Sequence, residues 1–374
     1  MTHRDQPQHP ETARAQRPRS LISAFLLGVC LFAGLLLLFE GLFRWTRLDQ
    51  VFNWRSLGIY HGQFEIKWFE LKDFVHTNGG VDVLLLGNSM VNTGIDPDVL
   101  ADEYESLTGE RLRVFNFGVE GLTVAPNSVI ARVLKARYHP GTIIFVTEMR
   151  DYAARNGLEV ERQLLGDEWM TARRDGKETP RAWLKENSSV LQHLLFFRNW
   201  SRADFLDSFL MQARRFADTT PSGYEPDANI GENIDIPPDP ADPDEQEDFA
   251  LFSGFSIDPG RLENLKSILE LGGDGTVVII TEMPVHPNYF TYFGGEQAHD
   301  EYLIEMVPLI EENGATYLPP PEWSRIPLFS RVDHHHLNVI GAILHSRMLA
   351  QNLADLCRSQ SACLLPAARV EAAP

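Results

Sequence analysis

The stretch Val81–Met90, VDVLLLGNSM, constrains this chain most. Val81 to Leu86, apolar but for Asp82, reads as a strand buried on both faces rather than one with a solvated side. The run ends in Gly87, Asn88 and Ser89, which read as a tight turn. A serine just past the carboxyl end of such a strand sits where open α/β sheets hold their ligands. It is also an ordinary place for a turn serine, and the rest of the chain decides between the two.

Four further stretches read as strands, at Leu112–Phe117, Thr142–Thr147, Thr276–Thr281 and Ala315–Leu318. Helical patterns lie between them. Asp96-Pro97 reads as an N-cap followed by proline at the first helical position. That helix runs to about Leu107, with Gly109 as its stop. Pro126–Tyr138, Pro259–Leu271 and Gln297–Glu312 carry the next three, and a terminal helix follows Asn338. The alternation predicts an α/β fold, a three-layer sandwich with a parallel sheet of about five strands covered on both faces.

Ahead of the sheet, Leu21–Phe43 is apolar over 23 residues, with Glu40 as its single charge. At about 1.5 Å per residue it spans a bilayer core of roughly 30 Å. It is longer than a signal peptide's apolar region of about 7–15 residues, so it reads as an uncleaved, single-pass anchor. Residues 1–20 form a polar tail expected to be disordered. Arg4, Arg14, Arg17 and Arg19 precede the span, whereas only Arg44 and Arg47 follow closely. This bias predicts a cytoplasmic N-terminus and an extracytoplasmic domain, periplasmic or at the cell surface. Residues 44–78 are an aromatic-rich juxtamembrane segment, and 79–151 with 250–360 make up the sheet-bearing domain.

Residues 152–249 break the alternation and read as a helical insertion closed by an acidic, proline-rich loop. Glu225–Asp248 holds ten acidic side chains and no basic ones, out of a formal net charge of −19. Such a segment is expected to stay unfolded. It lacks the ligand spacing and glycine of an EF-hand. The acidic balance argues against a nucleic-acid partner. Of three cysteines, Cys357 and Cys363 would be able to bridge outside the reducing cytosol or remain two unrelated thiols, and no zinc-type spacing occurs.

The loop before the terminal helix supplies a base. Asp333 and His336 stand three apart, so the carboxylate can reach Nδ1 while Nε2 faces a serine. The run His334–His336 also raises a metal reading, but adjacent residues point in different directions and no second ligand cluster is present. The elbow G-x-S-x-G is absent, because Val91 stands at its last glycine. Four blocks in order, GNSM at 87–90, NFGVEG at 116–121, Arg150-Asp151 and DHHHLN at 333–338, instead resemble those of SGNH (GDSL-like) hydrolases. The resemblance covers roughly 80–151 and 250–356.

What the resemblance implies is a flavodoxin-like sandwich in which Ser89 is the nucleophile, His336 the base and Asp333 its partner. The backbone N–H groups of Ser89 and Gly121 would form the oxyanion hole. The family's third donor is an asparagine; here Arg150 stands at that position, either a substitute donor or one half of a surface ion pair. Asn88 replaces the usual aspartate before the serine and shapes the turn. Glu148 and Glu282 each follow a strand in a Thr-Glu-Met sequence and are either an acid/base pair or loop supports. His286 lies where family members touch substrate, or is a turn histidine. Phe290, Tyr292 and Phe293 would be able to stack on a sugar or pack beneath the loop.

The resemblance implies a membrane-anchored serine esterase or O-acyltransferase acting on acyl esters of cell-envelope glycans, with no cofactor and no metal. Proteins of alginate O-acetylation and of teichoic-acid D-alanyl transfer are similar in plan, which implies a multi-pass membrane O-acyltransferase as partner. The competing reading is a non-catalytic envelope protein that uses the same cleft for binding glycan or that partner.

Overall fold

A computed structural model describes residues 19–46, 53–59, 61–198 and 205–359. The chain begins with α1 (Arg19–Thr46) and α2 (Gly62–Asn78), then β1 (Val83–Gly87), α3 (Ser89–Gly94), α4 (Pro97–Thr108), β2 (Val114–Gly118), α5 (Val124–Tyr138) and β3 (Thr142–Thr147). A series of shorter helices follows: α6 (Leu158–Leu165), α7 (Glu168–Arg174), α8 (Pro180–Asn187), α9 (Ser189–Phe197), α10 (Phe205–Asp218) and α11 (Gln246–Phe252). The alternation resumes with α12 (Pro259–Leu269), β4 (Val277–Glu282), α13 (Glu296–Glu312), β5 (Thr316–Leu318) and α14 (Val339–Ser359).

The five strands are all parallel in the order β2-β1-β3-β4-β5. Successive residues of one strand face opposite layers. Leu84, Leu86, Phe115, Phe117, Ile143 and Phe145 pack with α2, α5, α12 and α13, whereas Val83, Leu85, Val114, Ile144 and Val146 pack with α3, α4 and α14. Burial on both faces is why these runs show no polar alternation. From β1 the chain goes to β2 on one side and then returns to β3 on the other. The carboxyl ends of β1 and β3 therefore flank a topological switch point, where open α/β sheets form a crevice.

Local signals account for most boundaries. The carboxylate of Asp96 accepts from the N–H groups of Asp98 and Val99, at 3.0 and 3.2 Å, and α4 ends at Gly109 in the left-handed conformation. β3 spans the expected six residues, Thr142–Thr147. The turn at Ser89 differs from the expectation: a helix starts there at once. The Asn88 side chain caps it by accepting from the N–H of Met90 at 2.9 Å. Gly87 permits this close approach, since a Cβ there would lie 2.4 Å from Val91 and 2.7 Å from the carbonyl oxygen of Val146.

Both segments flanking the sheet sequence share its core. Phe64, Trp68 and Phe69 of α2 are buried against Leu164, Trp169 and Met170 of α6 and α7, with Trp68 and Trp169 edge to face at 4.8 Å. The acidic stretch is folded against the loop that carries Asp333. Gly231 N–H donates to Arg331 at 2.8 Å, Val339 N–H donates to Asp227 at 2.6 Å, and Ile234 is buried. α1 from Leu21 is exposed within the protein and is long and apolar enough to cross a membrane. Of the tail expected to be disordered over residues 1–20, Arg19 and Ser20 begin α1 and residues 1–18 lie outside the described residues, as does Cys363, one half of the possible bridge. Cys357 Sγ is 3.4 Å from the hydroxyl of Tyr104.

Candidate active site

Ser89 sits at the carboxyl end of β1 as the first residue of α3, and two devices fix it there. Asn88 caps the helix, as above. Asn116, fully buried in β2, donates to the carbonyls of Val91 and Ile95 at 2.7 Å each and accepts from Gly118 N–H at 2.8 Å. The second block of the sequence thus contributes a strut that holds α3 against the sheet.

From the loop before α14, His336 Nε2 lies 2.8 Å from Ser89 Oγ, and its Nδ1 lies 2.7 Å from Asp333 Oδ2. Asp333 Oδ1 accepts from the backbone N–H groups of His335 and His336 at 2.8 and 2.6 Å. Burial pushes the Asp333 carboxyl up, but His335 and the hydrogen bonds from His336 outweigh it and hold the group well below the usual carboxylate range. With Nδ1–H on this carboxylate, the His336 Nε2 lone pair faces the serine hydroxyl. That is the arrangement required of a general base.

A second imidazole docks on the same carboxylate. His335 Nδ1 is 3.2 Å from Asp333 Oδ1, and the rings of His335 and His336 are 4.1 Å apart. Burial, with His336 and Arg150 beside it, pushes His335 well below the usual imidazole range, so it is neutral at pH 7. Its Nε2 lies 3.1 Å from Arg150 Nη1. Guanidinium only donates, so Nε2 accepts and the proton sits on Nδ1, facing Asp333.

Arg150 continues the line. Its Nε donates to Glu148, which also accepts from Asn88 Nδ2 at 2.6 Å and from the hydroxyl of Tyr289. Because Asn88 precedes Ser89, the contacts close into a ring: Ser89, His336, Asp333, His335, Arg150, Glu148, Asn88 and back through one peptide bond. Asp151, buried beneath, accepts from Asn88, Thr147 and the N–H of Glu148; burial and the Glu148 charge push its carboxyl up. Low dielectric strengthens such a ring and makes each missing partner expensive.

The sequence-selected residues fall into two groups. Ser89, His336, Asp333, Arg150 and Glu148 come together in the ring. Gly121 lies in the turn after β2, three residues beyond the Gly118 that pairs with Gly87, and adopts φ +74. Glu282, at the end of β4, instead bonds His299 at 3.1 Å and Tyr317 at 3.0 Å. It lines a cavity of about 250 Å³ with Glu148, Tyr289 and Trp323. His286 caps the 3-10 turn Pro287–Phe293 and donates its N–H to His334 at 2.8 Å, bracing the histidine loop. Among the described residues, no hydrogen bond links Gly121, Glu282 or His286 to Ser89, His336 or Asp333.

Sequence reasoning did not select His335 and Tyr289, and it gave Asn88 only a turn. His335 stood within the histidine run but was set aside because neighbours diverge; a tight loop folds both rings onto one carboxylate. Asp333, His335 and His336 each offer a ligand atom, all within 4.8 Å of one another, as a metal site would require. A cation there would face the Arg150 guanidinium already on His335, which suits the cluster to hydrogen bonding instead.

No protein-family model and no curated protein matches the chain. Among solved structures, it is similar to a gut microbial diltiazem-metabolizing enzyme at 10% identity and a TM-score of 0.34. The match covers 73% of this chain and 46% of that one, so the chain spans less than half of that protein's length. A likeness at that level carries no inference about activity.

Proposed function

We propose that this protein is a serine esterase or O-acyltransferase of SGNH type, anchored by α1 and acting on acyl esters of extracytoplasmic glycans. The observation that carries this reading is the line Ser89–His336–Asp333, at 2.8 and 2.7 Å, at the carboxyl edge of a parallel sheet. In the proposed reaction Ser89 Oγ attacks the acyl carbonyl while His336 Nε2 takes its proton. Asp333 stabilises the imidazolium. The tetrahedral oxyanion is held by the N–H groups of Ser89 and, following the family pattern, Gly121. Collapse expels the alcohol, which leaves with the proton from His336, and the acyl group stays on Ser89. Water or a sugar hydroxyl then gives its proton to His336 and takes the acyl group, and as the acyl–Oγ bond breaks His336 returns that proton to Ser89 Oγ.

The arginine bias ahead of α1 supports an extracytoplasmic domain. A multi-pass membrane O-acyltransferase is the partner such an anchored domain would serve. One observation favours a second reading: Arg150, where the family has an oxyanion-hole asparagine, is engaged by Glu148 and His335. A non-catalytic protein that binds glycan or the partner through this cleft would keep the same fold. A fluorophosphonate probe separates the two. Labelling of the wild type that Ser89→Ala abolishes supports the enzyme; an unlabelled wild type supports the binding protein.

A further inference from the structure

We propose that helices α8–α10 lie in the membrane interface, where their apolar side chains contact lipid beside the anchor. This inference stands on the placement of α1 and does not depend on the chemistry at Ser89.

The anchor is joined to these helices by its last charged residues. Glu40 accepts from the Ser188 hydroxyl at 3.0 Å and from the N–H groups of Ser189 and Val190 at 2.8 and 3.1 Å, at the start of α9. Arg44 bonds Glu40 at 2.8 Å and the carbonyl of Asn187, the end of α8, at 2.6 Å. Phe43, the last residue of the apolar run, stacks on His193 of α9 at 4.5 Å. From Leu21 to Glu40 the helix rises about 28 Å, close to the roughly 30 Å of a bilayer's hydrocarbon core. The contacts therefore hold the α8–α9 junction at the boundary between hydrocarbon and headgroups.

Large apolar side chains stand exposed on this part of the protein. Trp183 and Leu184 of α8, Leu194 of α9, and Leu206, Leu210 and Met211 of α10 are each 44–62% exposed. α10 joins α9 through Trp54, whose ring meets Phe197 at 5.2 Å and Phe209 at 5.5 Å. In water such a surface would be an association hazard; beside a span, with polar residues between the apolar ones, it has the composition of an interfacial helix group. Charge agrees. A cavity of about 450 Å³ between α9 and the helices preceding it is lined by Arg162, Arg181, Lys185 and Arg198 with Asp167 and Glu168; Lys185 pairs with Asp167 and Arg181 with Glu168, which leaves the lining with more cations than anions.

The test uses the full chain in vesicles of phosphatidylcholine and phosphatidylglycerol, with Cys30→Ala, Cys357→Ala and Cys363→Ala as background. Nitroxide labels are placed at Leu194→Cys and Leu210→Cys, with Leu26→Cys in the span and Ile304→Cys on α13 as references. Accessibility to oxygen, which concentrates in lipid, is compared with that to a water-soluble nickel chelate. The expected oxygen-to-nickel ratio at 194 and 210 is severalfold above that at 304 and approaches that at 26. Ratios equal to that at 304 would overturn the proposal, and this is also the outcome if a partner protein covers the face in cells. Exclusion of both reagents, from packing against a second copy of the chain, would overturn it too.

Discussion

Replacing Arg150 by the asparagine that the SGNH pattern carries separates two roles for this position. The guanidinium spends Nε on Glu148 and Nη1 on His335, and asparagine is too short to reach both. Removing one partner of a buried ion pair costs about 3–5 kcal/mol. Glu148 keeps Asn88 and Tyr289, and Arg150 retains some solvent contact, so Arg150→Asn should lose about 2–3 kcal/mol, below that range. Catalysis should suffer less. Asp333 keeps its two backbone donors and the Nδ1 of His336, so kcat on an activated ester should fall by no more than about tenfold, or about 1.4 kcal/mol. An oxyanion donor behaves differently, since its loss costs about 10²–10³ in kcat. Melting followed by tryptophan fluorescence and initial rates on one preparation decide the matter. A drop of two to three orders in kcat with unchanged melting would refute the positioning role.

Two other perturbations probe the support of the site. His345, buried in α14 with Nδ1 on the carbonyl of Gly94 at 3.0 Å, is pushed down by burial to about 4. The unfolded imidazole takes its proton near 6.5 and the folded one near 4, so the unfolded chain binds more protons between them. About 3 kcal/mol of stability is thus lost as pH falls from about 6.5 to 4, and His345→Gln should flatten that part of a stability–pH curve; an unchanged slope would count against it. Asn116→Ala leaves two carbonyls and one N–H in a buried site without their partner. It should cost about 3 kcal/mol and slow fluorophosphonate labelling of Ser89 as α3 loosens, and wild-type labelling in a destabilised variant would show that the strut does not position the serine.

The parts of this fold legible in the sequence are those written in contiguous residues. TIIFVT announces β3 because burial on both faces requires unbroken apolar character, and Asp96-Pro97 announces α4 because cap and first turn are neighbours. Four blocks of the site could be picked out because each closes a strand or opens a helix. The ring could not be, since Arg150 and His335 are 185 residues apart and their pairing depends on how two loops meet above the sheet. Composition misjudged residues 225–248 for a related reason. Their order comes from backbone bonds to residues 331 and 339 and from one buried isoleucine, none of which a count of prolines and acids registers.

Acylation of Ser89 would identify it as the nucleophile. The protein is incubated with an activated acetyl ester, quenched in acid and digested, and the peptide containing Ser89 is read by mass spectrometry. An acetyl group is expected on Ser89, and none when His336→Ala removes the base. An unmodified Ser89 peptide in the wild type, with ester turnover intact, would contradict that role for Ser89.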